Sequence, residues 1–184
     1  MNTRSKRKNL LEATSYLIEQ NGMENLTLEA VAKQAGVSKG GLLYHFSSKE
    51  ALIKEMVNSY TEEFKEDIQK RVETTSLPNG KWHRAYLDAS LNDSESASKL
   101  SAVYTASLLS NPLFLSIAKE AFEEIYESLA KDELDPVDSA ILRLAIDGLW
   151  YSEIFKIGKL DEALKEKVIE RLNKHVIGDS QAFE

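Results

Sequence analysis

Thr27, Ser38, Lys39, Tyr44, His45 and Lys49 crowd hydroxyl, imidazole and ammonium groups into one short stretch. Hydrogen-bond donors at this density suit a partner rich in acceptor oxygens. Nucleic-acid phosphate is such a partner, and these side-chain types are the ones that position proteins on it. Thr27, Tyr44, His45 and Lys49 are therefore assigned to phosphate. Standing alone, His45 would read as a packing residue; beside Tyr44 and Lys49 it reads as a donor. Ser38 and Lys39 begin a short helix, and the first residues of a reading helix approach base edges. Lys39 is assigned to a guanine edge or a nearby phosphate. Gly40 and Gly41 each cost about 1 kcal/mol against alanine inside a helix. Either the backbone comes close to DNA there, or a neighbouring helix crosses close to it.

The elements that must hold these groups run from Leu26 to Phe46. Thr27 can cap a first helix, whose apolar stripe is Leu28, Val31, Ala32 and Ala35. Gly36 ends it, because glycine takes the left-handed backbone at no steric cost. Ser38 caps a second helix from Lys39. Helix, glycine-containing turn and helix make the DNA-reading helix-turn-helix pattern. A helix over Arg4–Asn21 precedes it, opening on the basic run from Arg4 to Lys8. Ser47 and Glu50 have capping-box spacing for a long helix reaching Thr74.

Charge distribution agrees with this placement. The net charge is −7. Residues 1–49 nevertheless carry seven basic and four acidic side chains, a net +3, while the rest carries 16 and 26, a net −10. A basic head on an acidic body confines phosphate contact to the head. There is no cysteine, which excludes thiolate metal sites, disulfides and a cysteine nucleophile and fits a reducing cytoplasm. His45, His83 and His175 are far apart, so neither a metal nor another cofactor is expected. No apolar run approaches the ~18 residues of a membrane span, and the basic start leads into an amphipathic helix rather than a signal peptide.

Beyond the turn at Ser76–Gly80 the pattern is helical throughout. Helices are expected at Lys81–Leu91, at Lys99–Leu109, from Pro112 to Lys131 with Asn111 as cap, from Pro136 to Ile157 with Asp135 as cap, and after an Asp161 cap to Val176, with a break at residues 94–98 and a frayed tail at 178–184. Asp147 lies in an otherwise apolar helix, and a lone buried carboxylate is costly. Either Arg143, one turn earlier, neutralises it, or it anchors a cationic or hydrogen-bonding effector. In the second case Trp82, Tyr86, Tyr104 and Trp150 are the pocket walls. Ala140, Ala145, Gly148 and Ser152, beside Leu144, Leu149, Leu164, Val168 and Leu172, permit close packing of the last two helices across a two-fold axis.

The segment LTLEAVAKQAGVSKGGLLYHFSSKEAL, Leu26 to Leu52, resembles the TetR-type transcriptional regulators, with the AGVSKG turn, the HF pair and the SKEAL helix start at that family's spacing. The resemblance implies an all-α chain of about nine helices: a three-helix helix-turn-helix head and a six-helix bundle. It implies a DNA-binding domain over 1–47 and a ligand-binding and dimerisation domain over 48–184, connected by the helix at 48–75. It also implies a homodimer on a pseudo-palindromic double-stranded operator, and a small-molecule effector that releases it. One position departs from the pattern: Leu43 stands where the family usually has an aromatic, and leucine cannot donate to phosphate. The competing expectations are an architectural or protein-controlled DNA binder with a filled core, and an all-α enzyme. No recognisable nucleophile–base or metal-binding motif supports the enzyme.

Overall fold

A computed structural model of the chain describes residues 3–76, 79–91, 103–108 and 110–176. Among these residues every regular element is helical. In order they are α1 (Thr3–Asn21), α2 (Leu28–Gln34), α3 (Lys39–His45), α4 (Lys49–Thr74), α5 (Lys81–Ser90), α6 (103–108), α7 (Pro112–Leu129), a 3-10 turn (Ala130–Asp132), α8 (Pro136–Phe155) and α9 (Glu162–Val176). Residues 77–78 of the expected turn, the expected break at 94–98, residues 99–102 and 109 of the helix placed at Lys99–Leu109, and the tail at 178–184 lie outside the described residues.

The chain divides into two compact units, one from residues 1–62 and 95–120, the other from 63–94 and 121–184. The first unit contains the helix-turn-helix. Thr27 Oγ1 accepts from the Ala30 N–H, capping α2. The Val37 N–H donates to the Ala32 carbonyl and the Gly36 N–H to that of Lys33, the paired bonds of a glycine-terminated helix end. Gly36 makes this possible with φ +67°. Leu10, Val31, Leu42, Leu52 and Val57 are wholly buried there. Each such side chain contributes roughly 1.5–3 kcal/mol by leaving water.

The cap of α4 differs from the expected box. Ser48, not Ser47, accepts from the Ala51 N–H, at 3.1 Å. The helix starts at Lys49, so the second serine of the pair is the one standing at the cap. Hydrogen bonds from the Glu50 backbone N–H and the Ser48 side chain hold the Glu50 carboxyl below its ordinary range.

In the second unit Ile68, Val72, Tyr86, Leu87, Ile125, Leu142, Ile146, Leu149, Leu172 and Val176 form the core. Leu149 and Leu172, expected near a two-fold face, are therefore committed to this core. The exposed apolar side chains of α8 are instead Val137, Ile141, Leu144, Tyr151 and Phe155, at alternating three- and four-residue spacing around the exposed Gly148. Asp135 caps α8 through the Val137 and Asp138 N–H groups, with Pro136 in the first turn. α8 ends at Phe155, two residues short of Ile157, with Lys156 already left-handed at φ 54°. α7 likewise stops at Leu129 and tightens into the 3-10 turn before Lys131. Gly80, before α5, has φ +68°, and a Cβ there would meet the Val176 carbonyl oxygen at 2.2 Å. Only glycine admits that approach.

Candidate nucleic-acid interface and ligand site

In the first unit α3 presents its polar side chains outward from a buried Leu42. Ser38 Oγ accepts from the Gly41 N–H at 3.0 Å, so the serine caps the reading helix. Ser38, Tyr44 and His45 line one recess of about 430 Å³ with Lys6, Asn9 and Gly41. Tyr44 is 82% exposed, and its ring meets His45 edge to face at 5.2 Å between centroids. A hydroxyl, an imidazole and an ammonium thus border one space, a donor set that suits phosphate. Lys6 belongs to the basic run of α1, whereas Asn9 gave no signal in the sequence. Asn9 Nδ2 donates to the Ala35 carbonyl at 3.0 Å, tying α1 to the end of α2.

The other candidates are engaged elsewhere. Lys39 is ion-paired with Glu29 of α2, and that bond holds the Glu29 carboxyl below its usual range. A contact from Lys39 to a base or phosphate must compete with Glu29. Thr27, exposed, spends its hydroxyl oxygen on the α2 cap. Lys49 Nζ donates to the Met23 carbonyl at 3.0 Å, holding the loop before α2. Sequence spacing gave no sign of Glu29 or Met23 as partners. A Cβ at Gly40 would meet nothing within 4 Å, and one at Gly41 would meet Ser38 Oγ at 3.2 Å. Among the described residues no helix crosses close at either glycine. Leu43 is exposed. In the basic run, Arg7 pairs with Glu55 at 2.7 Å and its guanidinium lies over the Phe46 ring.

The proposed ligand residues fall into separate groups. Tyr86 donates its hydroxyl to Asp147, and Arg143 Nη1 donates to the other carboxylate oxygen at 3.3 Å. Asp147 is therefore a neutralised carboxylate. Burial pushes its carboxyl above the ordinary range despite hydrogen bonds from Tyr86 and attraction to Arg143. Burial, then the charge on Asp147, pushes the Tyr86 hydroxyl far up as well, so it stays a donor. Trp82 lines a groove of about 380 Å³ with Ile68, Gln69, Ile125 and Lys131, whose ammonium lies 4.2 Å from the indole centroid. Trp150 is half-buried beside Tyr151, at 4.9 Å between centroids. Tyr104 belongs to the first unit, where it stacks on Tyr60 at 4.2 Å.

A buried chain of polar groups in the second unit went unseen in the sequence. Asp132 accepts from the backbone N–H groups of Trp82 and His83 and from His83 Nδ1, at 2.8–3.1 Å. With Nδ1 donating, Nε2 accepts from Ser139 Oγ at 2.9 Å. His83 is fully buried. Burial alone would raise the Asp132 carboxyl, but the bonds from His83 and Trp82 outweigh it and hold it below its ordinary range. The order carboxylate, imidazole, hydroxyl is that of a serine-hydrolase relay. Here it caps α5 and joins it to the 3-10 turn and α8.

Residues 10–56 match the family described as bacterial regulatory proteins, tetR family, and residues 80–176, more than half the chain, match the tetracyclin repressor-like C-terminal domain. The chain is 24% identical over 186 residues to the HTH-type transcriptional regulator BetI of Escherichia coli O17:K52:H18, covering 94% of this chain and 92% of that protein. It is 25% identical to BetI of Stenotrophomonas maltophilia, covering 79% of each. Its fold is similar to that of the multidrug binding protein EbrR complexed with malachite green, with TM-score 0.69, 22% identity and coverage of 90% and 96%. It is also similar to a TetR-family member from Streptomyces coelicolor A3, with TM-score 0.68, 20% identity and coverage of 91% and 97%.

Proposed function

The chain belongs to the TetR family of DNA-binding transcriptional regulators, and from that we propose that it is a homodimeric repressor released from its operator by a small molecule. One observation carries the DNA half of this reading: Ser38, Tyr44, His45 and Lys6 border a single recess beside Lys39 at the start of α3. Residues 1–47 form the DNA-binding domain and 48–184 the ligand-binding and dimerisation domain, with the helix at 48–75 connecting them. Lys39 leaves Glu29 to reach a base edge, while Thr27, Tyr44, His45 and Lys49 engage phosphate. The backbone at Gly40 lies close to DNA, a role favoured by the open space where its Cβ would stand.

The dimer reading is supported by the exposed stripe Val137, Ile141, Leu144, Tyr151 and Phe155, with Leu164 of α9. A long apolar stripe with glycine at its centre suits close packing against its own copy. A two-fold dimer places half-sites about one turn, ~34–36 Å, or a multiple apart. The effector reading is supported by Asp147 and Tyr86 within an aromatic body, and by the fold shared with EbrR, whose structures hold malachite green, imidazole and ethidium. Ligand acts by binding the conformation that does not fit DNA better than the one that does.

Lys39→Ala tests the head: operator affinity falls roughly 10-fold or more while affinity for random DNA falls far less. Equal loss of both, in gel-shift titrations at fixed salt, makes Lys39 a phosphate contact only. The neutralised Asp147 favours a second reading, a DNA binder with a filled body and no small effector. A small-molecule scan of melting temperature separates the two, since a ligand for the folded state raises it.

A further inference from the structure

Four aromatic rings of the second unit close on one another, and two of them, Tyr86 and Tyr126, hydrogen-bond one carboxylate. Phe64, Tyr86, Tyr126 and Phe122 stand in sequence with successive centroids 6.0, 6.3, 5.8 and 6.0 Å apart. Asp147 reaches this group from α8 and accepts the Tyr86 hydroxyl. Tyr126 shares hydrogen bonds with Tyr86 and Asp147. The Arg143 guanidinium completes the arrangement, 4.6 Å from the Tyr126 centroid and 3.3 Å from the second Asp147 oxygen. Aromatic faces with a carboxylate behind them make a cation site. In this chain the cation is a residue of the protein itself.

Arg143 is held less firmly than the site it fills. Its contact with Asp147 is one long bond rather than the two-pronged fork that makes arginine–carboxylate pairs strong. Its side chain keeps 30% exposure against 17% for Asp147. The carboxylate is fixed by Tyr86 and Tyr126, while the guanidinium, hydrogen-bonded to Asp147 and Tyr126, is the more water-exposed partner. Rotating Arg143 into solvent unfolds nothing, because both groups lie on α8 one turn apart. It does leave Asp147 without a cation, which is costly in a buried place. Any molecule that takes the place of Arg143 must therefore bring a positive charge. It must also have an apolar skin to cover the Tyr126 face.

We infer that the Asp147–Tyr86–Tyr126 site takes an organic monocation, which enters by displacing the Arg143 guanidinium. This rests on the reading that a small molecule controls the protein, and it names the class of that molecule. An anion would face Asp147. A neutral compound would strip the carboxylate of its partner without replacing it.

Three probes of similar size and different charge test the inference on the full chain by calorimetry: benzyltrimethylammonium, its neutral carbon analogue neopentylbenzene, and phenylmethanesulfonate. The cation binds at least about 10-fold more tightly than either of the others. Arg143→Gln removes the internal competitor and tightens cation binding roughly 10-fold, whereas Arg143→Lys keeps a competitor and stays within about threefold of the parent. Asp147→Asn, which still accepts from Tyr86, weakens the cation about 10-fold or more. Should Asp147→Asn fail to fold, the two Arg143 variants decide. A cation no tighter than its neutral analogue, or weaker binding in Arg143→Gln, overturns the inference. If the anion or the neutral probe binds and releases the operator instead, the small-molecule reading survives and the cation class falls. If no probe binds, the cation class also falls, and the melting-temperature scan alone decides whether any effector exists.

Discussion

The polar groups of the helix-turn-helix and those at the base of α5 have opposite fates. In the head, Thr27 and Ser38 each cap a backbone N–H three residues on, and Lys39 pairs with Glu29 ten residues back. These side chains remain at the surface with bonding capacity to spare. In the second unit, Asp132, His83 and Ser139 are joined across 49 and 56 residues of chain. Asp132 accepts there from two backbone N–H groups and an imidazole. Surface polar groups keep capacity for an outside partner; buried ones spend it on the fold. Substitutions in the two places should therefore separate binding from stability.

The largest separation is expected at Asp132. Asparagine there keeps one acceptor oxygen, but it loses the charge that holds the His83 and backbone N–H groups, and its amide NH₂ faces the Trp82 N–H where the second carboxylate oxygen accepts. Leaving buried donors unsatisfied costs about 1–3 kcal/mol apiece, so Asp132→Asn should lose roughly 3 kcal/mol in urea unfolding at neutral pH. The loss should depend on pH. Asp132 titrates below its ordinary value of 3.8 in the folded chain, so its stabilisation is complete above that value. It fades as pH falls through the folded pKa. The gap between parent and variant should be widest near neutrality and narrow in acid. A gap that widens in acid would assign the stabilisation to another group. Operator affinity per folded molecule should stay unchanged.

Gly40 should move both quantities, in opposite directions. Nothing stands where its Cβ would be, and it lies inside α3. Alanine should stabilise the chain by up to about 1 kcal/mol, the helix-propensity difference. If the backbone approaches DNA there, the same methyl group should weaken operator binding several-fold. Stabilisation with unchanged DNA affinity would free Gly40 of any role in binding.

The contrast between the two regions also accounts for what could be read from the chain. The helix-turn-helix signals are local. Thr27, Gly36 and Ser38 each act within a few residues, so spacing alone placed α2 and α3. Asp135 with Pro136, and Asp161, placed the starts of α8 and α9 in the same way. Ser48 takes the cap expected of Ser47, because adjacent serines offer the same hydroxyl to the same helix. Pairings across long separations carry no such signature. Nothing near Asp132 announces that it caps a helix 50 residues away. Nor does the apolar pattern of α8 say which apolar residues stay exposed, since Leu149 joins the core while Leu144, five residues earlier, does not. Arg143 and Asp147 were legible as a pair because they stand one turn apart on one helix. Tyr86, 61 residues from Asp147, was legible only as an aromatic.

The smallest effect on the fold is expected at Glu29. Its pair with Lys39 is solvent-exposed on both sides. Such pairs are screened, and they give up side-chain freedom for little gain. Glu29→Gln should leave the melting temperature unchanged. Glu29 nevertheless holds the Lys39 ammonium proposed to meet DNA, and it sets a negative charge beside α3. Removing that charge should strengthen binding to both operator and random DNA, with the larger gain at low salt, where surface charges act over longer range. If Glu29 also positions Lys39 for a particular base, the gain on operator should be smaller than on random DNA, and specificity should drop. Competition gel shifts at two salt concentrations distinguish a simple electrostatic brake from a positioning partner. A fall in affinity for both DNAs would show that Glu29 aids binding and would reverse the role given to it here.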